Sequence, residues 1–185
     1  MSIRARLALT ASFLAFGVAN PALAAPQFYA GVGIEYGDTE MTDAIPTDYS
    51  GDLWSGSVIA GVRFGLPGNF FLGAEGETTL FTSYETDSFT GDDLDRVWRL
   101  RGMGGYDFGD IAAFVAVGGV WVDGALSGPA LEDSSDGITY GAGIEYAVND
   151  QFDLRLEVIR DETEFENGTY EWDNTAVRVG ALIKF

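Results

Sequence analysis

From residue 25 onward, hydrophobic and polar residues alternate with a period of two in eight separate segments. In the first segment Phe28, Val32 and Ile34 share one face, while Gly33 and Glu35 share the other. Alternation of this kind predicts β-strands that present an apolar face and a polar face. The fifth segment is apolar on both sides, so its faces stay unassigned. The eight predicted strands are 27–37, 54–64, 70–80, 95–106, 111–122, 138–146, 152–158 and 175–185.

The segments and their connections follow the layout of a membrane barrel. A membrane-spanning strand needs about 9–11 residues, which is longer than the usual strand of a soluble sheet, about 5–6 residues. Short connections (65–69, 107–110 and 149–151) alternate with long polar ones (38–53, 82–94, 123–136 and 161–173). This pattern predicts an all-β fold: an eight-stranded antiparallel up-and-down transmembrane β-barrel with short periplasmic turns, long extracellular loops and both termini in the periplasm.

The first 24 residues have the layout of a secretory signal peptide. Arg4 and Arg6 precede an apolar run of 12 residues at 7–18, which is too short to span a bilayer. The small residues Ala22 and Ala24 then form a cleavage motif, and we expect cleavage before Ala25. Residues 1–24 are therefore predicted to be a signal peptide, and residues 25–185 a single barrel domain.

Aromatic residues on the apolar face gather near the strand ends, as they do at the two interfaces of a membrane. A soluble barrel would instead place its rings centrally. The rings at the short-turn end are Phe28, Phe64, Phe70, Tyr106, Tyr146, Phe152 and Phe185, and those at the long-loop end are Tyr36, Trp54, Trp98 and Tyr140. The apolar face is therefore predicted to contact lipid.

The polar face carries as many glutamates as arginines. An eight-stranded barrel has room inside only for packed side chains, so these charges are expected to form a salt-bridge network that fills the lumen. Glu75 and Glu77 could form a catalytic pair, but Arg99 and Arg101 are the expected neighbours across the hairpin, which favours salt bridges. The ten predicted lumen residues are Glu35, Arg63, Glu75, Glu77, Arg99, Arg101, Glu145, Arg155, Glu157 and Arg178.

The sequence from residue 25 onward resembles the small eight-stranded outer-membrane β-barrels of the OmpA, OmpX and opacity-protein type. The resemblance is carried by residues 27–33 (QFYAGVG), 105–108 (GYDF) and 141–146 (GAGIEY), and by the terminal Phe185. Phe185, on an alternating last strand, resembles the signal read by the machinery that inserts such barrels. The resemblance implies a monomer in the outer membrane of a Gram-negative bacterium, with membrane lipid and the insertion machinery as its partners.

Composition narrows the chemistry that is possible. The chain has no histidine and no cysteine, which excludes a Ser-His-Asp triad, thiolate chemistry and imidazole metal ligands. The net charge of −19 argues against a nucleic-acid partner. Enzymes of the resembled family that are known to us use a catalytic histidine, so we expect a non-enzymatic protein with a structural or surface role: envelope integrity, adhesion, or contact with an unknown extracellular partner.

The charge is concentrated at the predicted long loops. Together with Asp95, which directly follows the second loop, they hold 20 of the 29 acidic residues. Solvation of exposed loops is the simpler interpretation. The more specific interpretation is that these loops bind Ca²⁺ or Mg²⁺ weakly. No other cofactor is expected. The candidate ligands are Asp92, Asp93, Asp95, Asp161, Glu162 and Glu164. Two other functions stay open: a small cation-preferring pore, and a soluble secreted β-barrel that binds a small ligand.

Overall fold

Backbone hydrogen bonds join eight antiparallel strands into a closed barrel in the computed structural model of the chain. The structure describes residues 25–42, 48–85, 93–125, 132–165 and 170–185, so the predicted signal peptide lies outside the described residues. Each strand pairs with the next, and the first pairs with the last. The strands are β1 (Gln27–Thr42), β2 (Asp48–Gly65), β3 (Phe70–Glu85), β4 (Asp93–Asp107), β5 (Ile111–Ala125), β6 (Glu132–Ala147), β7 (Phe152–Phe165) and β8 (Tyr170–Lys184).

The strands are longer than the sequence predicts. They contain 14 to 18 residues, and the extra residues lie mainly at the long-loop side, where the prediction placed loops. The predicted boundaries of the long connections are therefore wrong. Strand pairing continues there because backbone groups can form a ladder where the side chains no longer alternate between apolar and polar. We call the side with connections 43–47, 86–92, 126–131 and 166–169 the loop end, and the side with 66–69, 108–110 and 148–151 the turn end.

Local sequence explains the tight connections at the turn end. Gly68 and Asn69 both adopt positive φ angles, 77° and 64°, which glycine and asparagine tolerate best. Gly109 has a φ of 103°, and its backbone N–H donates to the Asp107 carboxylate at 2.8 Å. Asn149 accepts hydrogen bonds from two backbone N–H groups of its own turn. These residues close hairpins without a longer connection.

The two faces of the sheet separate apolar from charged side chains. In the fifth strand, whose faces the sequence left unassigned, Val115, Val117 and Trp121 point outward, while Phe114 and Val120 are buried inside. A β-bulge interrupts the β2–β3 pairing after Gly56, and it leaves both Leu80 and Phe81 exposed on the outer face. The outer surface is therefore a continuous apolar band.

Aromatic rings border that band at both ends. Phe70 and Tyr106 pack edge to face at the turn end, with ring centroids 5.0 Å apart. Tyr36 and Trp54 pack at the loop end at 4.8 Å. Trp121 pairs in register with Trp98 and belongs to the loop-end ring, which the sequence could not show. Among the residues described, no helix is long and apolar enough to cross a membrane.

The β3–β4 ladder differs from the others at the loop end. It stops at the pair Thr78 and Trp98, although β3 continues to Glu85 and β4 begins at Asp93. Above this point the described parts of β3 and β4 show no further pairs in register with each other, while β3 stays paired with β2 and β4 with β5. One hydrogen bond still joins them at the next step, where the Val97 backbone N–H donates to the Thr79 hydroxyl at 2.9 Å.

A charge placed on the middle of the outer face should destabilise the barrel. We expect Leu156→Arg on β7 to lower the free energy of unfolding from lipid vesicles by about 2–4 kcal/mol, because the guanidinium would lie in hydrocarbon. Ser83→Arg is the control, since Ser83 is exposed at the level of the loop-end aromatic ring, in register with Trp54, and its replacement should cost about 0–1 kcal/mol. Urea titration followed by tryptophan fluorescence measures both, and equal effects would contradict the assigned lipid face.

Candidate functional site

Two arginines from different strands, Arg99 on β4 and Arg178 on β8, meet in the centre of the barrel interior. Both donate hydrogen bonds to Glu35, and both donate to Glu77. The Nε atom of Arg178 lies 2.8 Å from Oε1 of Glu35, and Arg178 has 0% exposed surface. A guanidinium has five hydrogen-bond donors. When it is fully buried, protein oxygens must accept those hydrogen bonds, so several carboxylates are needed around it.

A second group of ion pairs continues from this centre toward the turn end. Arg101 and Arg155 share the carboxylate of Glu75, at 2.7 and 2.5 Å. Arg101 also binds Glu157 at 2.6 Å, and Glu157 accepts a further hydrogen bond from Arg178 at 3.3 Å. Glu157 therefore links the two groups into a single network.

The network reaches its turn-end limit at Arg63. Glu145 binds Arg155 at 2.7 Å and also binds Arg63. The Tyr29 hydroxyl donates to Glu75 at 2.8 Å. The turn end of the network thus includes a tyrosine that the sequence did not assign to it.

Asp161 forms the limit at the loop end, and its position corrects the sequence interpretation. It was expected in a surface loop and among the cation ligands, but it is fully buried inside β7. Its carboxylate accepts hydrogen bonds from Arg99 at 3.0 and 2.6 Å and from the Asn174 amide at 3.2 Å. The sequence does contain a signal for this position: the alternation of inward-facing residues continues from Arg155 through Glu157 to Asp161 if the seventh predicted strand is extended beyond residue 158.

The structure brings all ten predicted lumen residues together in this one network. Several are direct partners across the sheet, so each backbone pairing places a cation beside an anion. The in-register pairs are Glu35 with Arg178, Glu75 with Arg101, Glu77 with Arg99, Glu145 with Arg155, and Glu157 with Arg178.

An apolar layer covers the network at the turn end. Tyr29 and Phe114 each lie against an interior glycine: a Cβ on Gly61 would be 2.4 Å from the Tyr29 ring, and one on Gly143 would be 2.7 Å from the Phe114 ring. Glycine at these two positions therefore makes room for the rings in a narrow lumen. The guanidinium of Arg155 lies 5.0 Å from the centre of the Phe114 ring, which joins the layer to the network by a cation–π contact. The layer contains Tyr29, Ile59, Phe71, Met103, Ala112, Phe114, Ala116 and Leu182.

Further buried apolar side chains lie beside the network and toward the loop end. Val120, Val122 and Ile159 have 0% exposed surface, and Val97 and Leu53 are also buried. In the described strands, the charged side chains thus have an apolar layer on the turn-end side and apolar side chains beside them toward the loop end.

The outer surface at the loop end carries a separate polar cluster. Arg160 binds Glu162 at 2.9 Å and Asp173 at 2.7 Å. The Tyr140 hydroxyl donates to Glu162 at 2.7 Å. These hydrogen bonds, from Arg160 first and then from Tyr140, lower the pKa of Glu162. Glu162 is thus held ionised and already has two partners.

The cation site expected from Asp161, Glu162 and Glu164 does not have the expected geometry. Asp161 points into the barrel and Glu162 points outward, because neighbouring residues of a strand face opposite sides. That grouping is therefore wrong. Asp93, Asp95 and Glu164 lie on strands, and Asp92 lies outside the described residues. Within the described part of the chain, no group of three or more potential ligands is arranged so that it could hold a metal ion.

The paired carboxylates Glu75 and Glu77 have no access to a substrate. Both are at most 5% exposed, and both bind arginines. A general acid or base must reach the proton that it transfers, and these two groups face only other side chains. Their geometry is that of structural ion pairs.

Comparisons with known proteins give a fold and no sequence family. No protein-family model matches the chain, and no curated protein matches its sequence. Among solved structures, the attachment invasion locus protein Ail of Yersinia pestis matches with a TM-score of 0.54 and 11% identity, over 85% of this chain and 98% of Ail. Neisserial surface protein A matches with a TM-score of 0.53 and 17% identity, over 85% of this chain and 97% of that protein. The chain has the fold of a small eight-stranded outer-membrane β-barrel, and the predicted fold class is confirmed.

Loss of one buried cation should be costly for stability. We expect Arg178→Met to lower the free energy of unfolding by about 3–5 kcal/mol, because three carboxylates would lose a partner inside the barrel. Combining it with Glu35→Gln should cost less than the sum of the two single changes, since the double variant removes an unpaired charge. Urea titration in detergent micelles measures this cycle.

Arg160→Met supplies the control for that experiment. Arg160 also binds two carboxylates, but on the exposed outer surface, where an ion pair contributes about 0–1 kcal/mol. A loss for Arg178→Met no larger than for Arg160→Met would show that the interior network does not hold the barrel together.

Proposed function

We propose that this protein is a non-enzymatic, integral outer-membrane barrel of a Gram-negative bacterium, with a structural or surface role. The buried ion-pair network is the observation that carries the proposal. Ion pairs lie in the centre of the interior, and an apolar layer lies beside them at the turn end. Because the interior of an eight-stranded barrel is only wide enough for packed side chains, we propose that the lumen is plugged and does not conduct. The barrel then serves as an anchor for the four hairpins at its loop end.

The proposed orientation follows from the two ends of the barrel. Outer-membrane barrels have short periplasmic turns, so the turn end would face the periplasm, with both ends of the barrel domain there. Residues 1–24 are proposed to be the signal peptide that directs export. The continuous apolar band with its two aromatic borders suits a monomer surrounded by lipid.

The loop end is proposed to face the exterior and to act in envelope integrity, adhesion or contact with a partner. The strands and connections there are strongly acidic, so a partner with basic groups is favoured and nucleic acid is not. Weak Ca²⁺ or Mg²⁺ binding by Asp92, Asp93 and Asp95 remains a hypothesis. No cofactor is proposed otherwise.

Planar-bilayer recording tests the plugged lumen. We expect no stable conductance steps from the reconstituted protein, because a path along the interior would have to cross the buried ion pairs and the apolar layer at the turn end. Heat-modifiable migration on gels and membrane fractionation would verify that the same preparation contains the inserted barrel. Stable, cation-selective steps would favour the pore instead, and clean periplasmic solubility would favour the ligand-binding soluble barrel.

The terminal residue provides a test of assembly in the membrane. Phe185 is exposed on the outer face at the turn end, and its backbone N–H donates to the Phe28 carbonyl at 3.0 Å. We expect deletion of Phe185 to lower the amount of assembled barrel in cells, while Phe185→Tyr keeps an aromatic end and assembles normally. Refolding of the purified variants into detergent should be nearly equal. A matching defect in refolding would mean that Phe185 acts through stability and not through the insertion machinery.

A further inference from the structure

A groove of about 820 Å³ lies in the apolar outer band, across strands β1 to β5. Its floor is formed by the small outward-facing residues Ala30, Ala60 and Gly76 and by the backbone around them. Glu77 and Arg99 also border it, but their side chains point into the lumen and are at most 2% exposed. The rim is therefore mainly apolar, and it consists of Val58, Thr78, Trp98, Leu100 and Trp121.

The barrel itself does not require the glycine in the floor of the groove. Gly76 lies inside β3 without a positive φ angle, and a Cβ added to it would meet no atom within 4 Å. Gly61 differs, because a Cβ there would be 2.4 Å from the Tyr29 ring inside the lumen. A glycine within a strand weakens the strand, and it often marks a place where a ligand or another backbone comes close. The open space above Gly76 therefore favours an occupant from outside the chain.

The groove lies in the half of the outer band that is nearer to the loop end. Trp98 and Trp121, which pair in register within the loop-end aromatic ring, form its upper rim. Gly76 pairs with Leu100, two residues from Trp98 toward the turn end. Because aromatic rings mark the interface of a membrane, the floor of the groove lies at the depth of the hydrocarbon. The chemistry that reaches the groove is that of a lipid acyl chain.

A second copy of the barrel would fill this groove less well than a lipid. In a two-fold dimer the same patch lies on both sides of the contact. A dimer centred on the groove would place one depression against the other and leave space that neither chain fills. Unfilled space forfeits van der Waals contacts, and these contacts are a main source of attraction between proteins in a membrane. A flexible acyl chain can instead follow both the floor and the rim.

We propose that the groove binds one acyl chain of a membrane lipid, which enters from the leaflet at the loop end with its headgroup above Trp98 and Trp121. Val58 and Leu100 flank the chain, and Ala60 and Gly76 let it approach the backbone. The proposal rests on the proposed membrane location, to which it adds a lipid site. The hydrocarbon chain is recognised at this site, and the headgroup is not.

Tryptophan quenching by a bromine-labelled lipid tests the position of the site. The probe is phosphatidylcholine brominated in the upper part of its acyl chains, titrated at low lipid-to-protein ratio into the purified full chain in detergent micelles. Trp98 and Trp54 are both 44% exposed at the loop-end border, but Trp98 lines the groove and Trp54 does not. Two variants each keep one of these indoles and carry Phe at the other three tryptophan positions. We expect saturable quenching of Trp98 at a lipid concentration about tenfold below that which quenches Trp54.

A pair of substitutions in the variant that keeps Trp98 tests whether the groove holds the chain. Ala60→Leu places a larger side chain on the floor beside Gly76. Ala142→Leu is the matched control, because Ala142 is also exposed on the outer face but lies on β6, away from the groove. We expect Ala60→Leu to weaken the quenching of Trp98 about tenfold and Ala142→Leu to leave it unchanged. Heat-modifiable migration checks that both variants fold, and the comparison of Trp98 with Trp54 needs neither of them.

The headgroup is tested with phosphatidylglycerol that carries the same brominated chains. We expect it to quench Trp98 as well as the phosphatidylcholine does, and glycerophosphocholine, which has no acyl chains, should not compete. A tenfold difference between the two lipids would overturn recognition through the chain alone.

Two further results would overturn the proposal. Equal quenching of Trp98 and Trp54, or equal effects of the two leucine substitutions, would show that lipid covers the outer band without a site. A dimer in sedimentation equilibrium that Ala60→Leu dissociates would assign the groove to a second copy of the chain. Conductance and cellular location are measured separately, so failure of this inference is distinguishable from failure of the proposed function.

Discussion

A closed ladder of backbone hydrogen bonds is the constraint on which the rest of the structure depends. In hydrocarbon an unpaired N–H or C=O group has no water to bind, so a sheet that crosses the bilayer must close on itself. Closure with eight strands fixes a narrow interior, and the pleat then sends every second side chain into it. The apolar outer band and the crowded interior are both consequences of that geometry.

The narrow interior explains why charges are present in pairs. A buried ion pair contributes little to stability compared with a well-packed apolar pair, but an unpaired buried charge costs several kcal/mol. Arg99 and Arg178 each meet three carboxylates, which satisfies their donors in a space without solvent. The network therefore accommodates buried charges only when every member has its partners.

Sequence periodicity predicts the strand count, the two faces and all ten lumen residues, because lipid and lumen impose opposite chemistry on alternate positions. The prediction from periodicity fails where the residues facing lipid and those facing the lumen are chemically alike. The fifth strand fills the lumen with Phe114, Val120 and other apolar side chains, so both of its faces look alike in the sequence. Strand ends beyond the membrane are misplaced, because water accepts polar residues on either face. Asp161 and the bulge at Leu80 both lie in this upper region. The period-two pattern reaches Asp161 only when β7 is extended beyond its apolar positions, and the bulge has no local sequence signal.

The ion pair between Glu35 and Arg178 has a consequence for how the barrel closes. These residues face each other in register on β1 and β8, 143 positions apart in the chain, at the seam formed by the first and last strands. If β8 slipped by one residue along β1, its inward and outward positions would exchange, and Arg178 would face hydrocarbon while Val177 and Val179 entered the charged centre. The pair is therefore compatible with only one register of this seam. Only the correct closure allows the final seam to form without a charge exposed to lipid.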